Sequence, residues 1–376
     1  MFDDSALDDE AALTAADPLL RRLAEAGARV RREADATRAA ASTLGESGEP
    51  GEPGGSESGA ASGSSRAGGS DWRPRAVVVA GADSRLLRAV LEPWCPVPFV
   101  AWPGPGLPGW AGALDIVVVL APRSGDDAAT SAVQESVRRG CTLLLACPPH
   151  TGLAELGASR STTVLPTLST DTLAAAVVVL QALHRIELGP EVDAEEVARA
   201  LDDVAVACSP YVDMSGNPAK ELAIALAEST PLVWGGSVLA ARAARRVAEA
   251  LRRASGRAAL AADADHLLPV LEATGRQDLF ADPFVDGAGG PDRAGADGPR
   301  PALVLLDDAS DGPVVREQRG RLSAAAEQRD VHVHRVAGTD GPPIARYGAL
   351  LATGSYAAAY LAVGLGTAAR LVADGG

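Results

Sequence analysis

One lysine, Lys220, stands among 34 basic residues, so 33 are arginine; a Schiff-base or P-loop lysine has one candidate, and no GxxxxGK[ST] pattern surrounds it. Aromatic residues make up 3% of the 376, too few to build stacking platforms for bases or sugar rings. The four cysteines, Cys95, Cys141, Cys147 and Cys208, lack CxxC spacing, which reads as buried free thiols rather than a metal site or a disulfide framework. Basic residues are outnumbered by 49 acidic ones, for a formal charge of −15. That balance repels phosphate backbones and anionic lipid and argues against nucleic-acid and membrane partners. No apolar run approaches the ~18 residues of a membrane span, and the acidic opening MFDDSALDDE differs from the basic start of a signal peptide. The expectation is a cytoplasmic protein.

What is present is 47% hydrophobic residue, drawn from Ala, Val and Leu, which suits close-packed helices and buried parallel strands. Residues 1–44 read as an N-terminal helical segment in which Asp17-Pro18 supplies a cap and a first-turn proline. Leu19, Leu23, Ala26 and Val30 form its apolar stripe, while Arg21, Arg22, Arg29, Arg31 and Arg32 face water. Residues 45–72, rich in Gly, Ser, Pro and Glu, read as a disordered linker. From 73 to 190 short β-rich runs alternate with helical patterns: RAVVVAG, VPFVA, DIVVVLA, TLLLAC and STTVLP. A second such unit spans 191–376, with PLVWGG, RAALAAD, PALVLLD, VHVHRV and a terminal helix over 343–365, interrupted by a disordered insertion at 286–300. Apolar strands alternating with helices predict two α/β halves, each a doubly wound parallel sheet, related by duplication.

In such sheets ligands bind beyond the carboxyl ends of the strands. Three turns there offer Gly and Ser at a helix start: Gly81-Ala82-Asp83-Ser84, the stretch from Arg123 to Thr130, and Gly235-Gly236-Ser237. Each is also an ordinary N-cap; together they point to an anion site. Arg242, Arg245, Arg246, Arg252 and Arg253 recur at helical spacing, as an anion-binding stripe or as a solvated face. His332 and His334 alternate on a strand and read as surface residues, and Lys220 sits in a capped helix start, with an anion contact as the alternative.

The motifs NPAKELAIALAESTPLVWGGS (217–237), SG-x-x-x-x-T (Ser124 to Thr130) and ARYGALLATGSYAAAYLAVGLG (345–366) resemble the sugar isomerase (SIS) family, in particular bifunctional phosphoglucose/phosphomannose isomerases. The resemblance implies a homodimer and a sugar-phosphate site between two SIS halves. It also implies aldose–ketose isomerisation by proton transfer, with no cofactor and no metal. Carried over residue by residue, it assigns phosphate binding to Gly81, Ser84, Ser124, Gly125, Thr130, Gly235, Gly236, Ser237 and Arg246. The chain departs from the family pattern at Pro122 and Asp127, and Asp83 and Asp126 add further carboxylates where a phosphate would rest. At about 5 Å and an effective dielectric near 20, each like-charge contact costs about 3 kcal/mol before screening. Arg252 and Arg253 fall where the family has an Asn-Glu pair, so the aligned base is missing; Glu249 and His266 are the remaining catalytic candidates. The reading is a sugar-phosphate-binding SIS protein related to phosphohexose isomerases, the alternative being a non-catalytic regulatory or scaffolding SIS dimer.

Overall fold

The computed structural model describes residues 1–42, 73–123, 125–275 and 299–373. Ser124, the linker, and the insertion up to residue 298 lie outside the described residues. The chain divides into two compact units, one of Ala28–Glu195 and one of Met1–Gly27 with Glu196–Gly376.

After a single turn at Ser5–Leu7 come helices α1 (Glu10–Ala24) and α2 (Ala26–Ser42). The cap is Asp9, whose carboxylate accepts from Ala12 N–H at 2.8 Å, and not Asp17; Pro18 lies inside α1. Proline removes one helical hydrogen bond, but burial of Ala16, Leu19 and Leu20 on either side carries the helix through it. The expected single helix is two, divided at Glu25. Three of the arginines expected in water are ion-paired: Arg21 with Asp17 at 2.9 Å, where both side chains stay exposed, Arg29 with Asp171 at 2.8 Å and Arg31 with Glu195 at 2.7 Å.

The unit Ala28–Glu195 holds β1 (Val77–Ala80), α3 (Ser84–Leu91), β2 (Phe99–Trp102), β3 (Ile116–Leu120), α4 (Asp127–Arg138), β4 (Thr142–Cys147), α5 (Gly152–Leu156), β5 (Thr162–Pro166) and α6 (Thr172–Arg185). All pairings are parallel, in the order β2-β1-β3-β4-β5. One face, with Val78, Val117, Val119, Leu143 and Leu145, packs on Ala129, Ala132 and Val133 of α4. Residues of alternate parity, such as Val77, Val79, Val118 and Leu144, are equally buried, and α3 and α6 pack from the other side. This double burial is why the strands read as unbroken apolar runs.

The other unit continues with α7 (Ala194–Ala207), α8 (Pro218–Leu226), β6 (Thr230–Gly235), α9 (Val238–Ser255), β7 (Leu260–Ala261), α10 (Ala264–Glu272), β8 (Pro301–Asp307), α11 (Pro313–Gln328), β9 (Val333–Ala337), α12 (Pro343–Gly364) and α13 (Ala368–Ala373). Its parallel order is β7-β6-β8-β9, with α10 and α11 covering the face that bears Leu232, Trp234, Leu303 and Leu305. Helices α8, α9 and α1 surround α12, whose small residues Gly348, Ala349, Ala352, Gly354, Ala357, Ala358 and Ala359 are all buried. A Cβ on Gly354 would overlap Val247 of α9, so these residues serve a helix crossing inside the unit.

Burial also settles the thiols. It pushes Cys147 up to about 11 and Cys208 up to about 12, and it raises Cys141 and the half-buried Cys95. Since the thiolate is the nucleophile, native alkylation at pH 8 read by mass spectrometry is expected to mark Cys95 first. The other three are expected to react only on unfolding.

Candidate functional site

In the first sheet the strand order reverses between β1 and β3, which makes the turns after those two strands the walls of the crevice. Gly81 (φ 96°) and Gly125 (φ 84°) take left-handed conformations that let both turns bend sharply into α3 and α4. The turns meet: Arg123 Nη2 lies 3.2 Å from Asp83 Oδ2, and Thr172 at the start of α6 donates its hydroxyl to the same oxygen at 3.3 Å. Asp83 is 9% exposed. Ser84 is 1% exposed, and its hydroxyl has no hydrogen-bond partner among the described residues. Asp126 caps α4 by accepting from Ala129 N–H at 3.0 Å, and Thr130 donates back to the Asp126 carbonyl at 2.9 Å. One α4 amide that an anion would seek is therefore already held by a carboxylate of the chain.

The second sheet reverses between β6 and β8. Its first wall is Gly235-Gly236-Ser237, where Ser237 caps α9 by accepting from Ala240 N–H at 3.0 Å. Its second wall, the turn Asp307–Gly312, escapes the sequence reading, although its two aspartates directly end an apolar strand. The Ser237 hydroxyl donates a short hydrogen bond to the Asp308 carboxylate, which also accepts from Ser310 N–H at 3.2 Å. Arg346 of α12 donates to the Asp308 carbonyl at 2.6 Å. Asp307 is paired with Arg335 and Arg319. Its burial raises its pKa, but the Arg335 hydrogen bond, the Arg319 charge and the Ala309 amide outweigh burial and hold it below the usual aspartate range. Gly235 passes so near the first turn of α9 that a Cβ would overlap the Ala240 backbone. Gly235→Ala is expected to cost about 1–3 kcal/mol through that overlap, measured by denaturant unfolding.

The other predicted residues lie apart from these walls. Arg246 and Glu249 sit on α9, Glu249 twelve residues beyond Ser237, about 18 Å along the axis at ~1.5 Å per residue. Glu249 is held by Arg246 at 3.1 Å and Arg253 at 2.6 Å. His266 is exposed on α10, across the sheet from α9. His332 and His334 face each other with ring centroids 6.4 Å apart; burial, then the His332 charge, lowers the His334 pKa. Lys220 is fully buried and donates to Asp8 Oδ1 at 2.7 Å and to the carbonyls of Pro210 and Val212 at 3.0 Å, which leaves its ammonium no donor for a ligand.

Residues 215–372 match the family described as the bacterial phospho-glucose isomerase C-terminal SIS domain. The chain contains an SIS domain. Solved structures extend the likeness to both SIS-type halves. A glucose-6-phosphate isomerase like protein from Thermus thermophilus is 17% identical with a TM-score of 0.52, over 95% of this chain and 92% of that one. A candidate phosphosugar isomerase from Silicibacter pomeroyi is 13% identical with a TM-score of 0.54, over 91% and 96%. The C-terminal domain of glucosamine-fructose-6-phosphate aminotransferase from Francisella tularensis is 9% identical with a TM-score of 0.51, over 77% and 84%. At these identities the structural likeness shows a shared fold alone, and no curated protein matches the chain. No helix among the described residues is long and apolar enough to cross a membrane.

Proposed function

We propose that this SIS-domain protein binds a phosphorylated sugar or a related carbohydrate derivative at the β1/β3 crevice and does not isomerise hexose phosphates. The observation that carries binding is the buried Ser84 hydroxyl, which has no partner among the described residues, one residue from the Asp83 carboxylate that holds Arg123. A buried donor without a partner costs about 1–3 kcal/mol unless something meets it, and Arg123 is the cation at hand. Proton transfer needs a base within reach of the reacting carbon. Glu249 lies far along α9 between two arginines, and His266 lies across the sheet from it. A second reading, a non-catalytic regulatory or scaffolding dimer, draws on Ser237 being tied to Asp308 and on Asp126 filling the α4 cap.

The test is a thermal-shift series with glucose 6-phosphate, mannose 6-phosphate and glucosamine 6-phosphate against the free sugars, beside a coupled isomerase assay. A stabilisation confined to the phosphates with no turnover supports the first reading. Turnover above about 1 s⁻¹, within the usual enzyme range, overturns its non-catalytic part; no response to any sugar phosphate leaves the scaffold. Both readings include a homodimer in the cytoplasm. Because the small-residue side of α12 is consumed within its unit, the dimer needs another surface. Light scattering is expected to return twice the monomer mass at micromolar protein, and a concentration-independent monomer removes this part.

A further inference from the structure

The turn after β5 contains an anion cradle that the chain fills with its own carboxylate. Glu33 lies on α2 and is 1% exposed. Its oxygens accept from Leu168 N–H at 2.8 and 2.9 Å, from Ser169 N–H at 2.7 Å and from the Ser169 hydroxyl at 2.7 Å. Two successive amides with an adjacent hydroxyl form the kind of concave donor set that takes carboxylates and phosphates alike. The cradle is separate from the helix end that follows, because Asp171 already takes the Leu173 and Ala174 amides of α6 at 2.9 and 3.3 Å. Thr167, one residue upstream and 2% exposed, keeps a hydroxyl with no hydrogen-bond partner among the described residues. The stretch 167–169 thus holds one more donor than a planar carboxylate uses.

Besides the cradle, the contacts of α2 among the described residues include the Arg29–Asp171 and Arg31–Glu195 pairs and the buried apolar residues Val30 and Ala41. A cavity of about 420 Å³, lined by Arg31, Thr37, Val178, His184 and Val192 among others, separates part of α2 from α6 and residues 191–195. A helix seated by one buried carboxylate over an incompletely filled interface is open to competition from a free anion.

We propose that residues 167–169 form a phosphate seat, that Glu33 is its built-in competitor, and that α2 is a strap which a phosphate group loosens by taking the seat. The experiment uses the full chain, Glu33→Ala and Glu33→Gln, with inorganic phosphate as probe and sodium chloride at matched ionic strength as control. Glu33→Ala is expected to bind phosphate at least ten times tighter than wild type. Hydrogen exchange should place that binding at the Leu168 and Ser169 amides, which separates it from any binding at the β1/β3 crevice. In wild type, rising phosphate should speed exchange over residues 26–42. Should Glu33→Ala fail to fold, Glu33→Gln carries the comparison, because it keeps the shape and loses the charge. Equal phosphate response in wild type and variants overturns the seat, and tighter variant binding with wild-type α2 exchange unmoved overturns the strap.

Discussion

Replacing Lys220 by methionine is expected to lower the melting temperature by roughly 10 °C and to release the N-terminal segment to protease. Methionine keeps most of the stem volume but leaves the Pro210 and Val212 carbonyls and the Asp8 carboxylate without their shared donor. Breaking a buried pair costs about 3–5 kcal/mol. Here the Asp8 side chain is 48% exposed and rehydrates, so the loss falls to about 2–4 kcal/mol. For a unit of this size each kcal/mol shifts the midpoint by about 2–4 °C. The second readout follows from where Asp8 sits, between the first turn of the chain and α1, whose helix packs on α12. Cleavage within residues 1–24 should therefore quicken before the rest of the chain unfolds. A midpoint within about 2 °C of wild type would mean that the ammonium is carried at no net gain over an apolar side chain, as some buried pairs are.

The strands are legible in the sequence because each is buried on both faces, which writes an unbroken apolar run, and the Gly/Pro/Asp punctuation marks their ends. The start of α1 is not, because Asp17-Pro18 satisfies the local rule for a helix start, while burial of Leu19 and Leu20 on the far side of the proline decides the matter. Helix α11 leaves little signal, as its core-facing residues are Leu322, Ala325 and Ala326 with the partly buried Val315, set among charged residues. The small-residue pattern of 343–365 is visible, but a pattern that permits close approach does not say whether the partner helix belongs to the same chain. For the site, composition locates the Gly/Ser turns and their excess carboxylates. What each carboxylate does is illegible, since Asp83 meets Arg123 and Thr172, 40 and 89 residues away, and Glu33 meets Leu168 at a separation of 135. Only the folded sheet brings those turns to one edge.

That edge yields the prediction with the largest functional effect. Asp83→Asn is expected to tighten glucose 6-phosphate binding by about ten- to a hundredfold in low salt. Asparagine keeps an oxygen to accept from Thr172, so the α6 start stays in place. It removes one negative charge at the crevice, a repulsion of about 3 kcal/mol at about 5 Å and effective dielectric near 20, which salt and solvent reduce. It also releases Arg123, now 3.2 Å from the Asp83 carboxylate, to face the phosphate. Only the second effect runs through Arg123, so Asp83→Asn combined with Arg123→Gln should keep the part of the gain due to lost repulsion and forfeit the rest, a departure from additivity that two independent sites would lack. Titration calorimetry of wild type, both single variants and the double variant measures it. An Asp83→Asn affinity within threefold of wild type would show that phosphate does not approach these turns. The Arg123–Asp83 pair would then be structural, and the SIS fold in this chain would serve an interaction other than sugar-phosphate capture at the β1/β3 crevice.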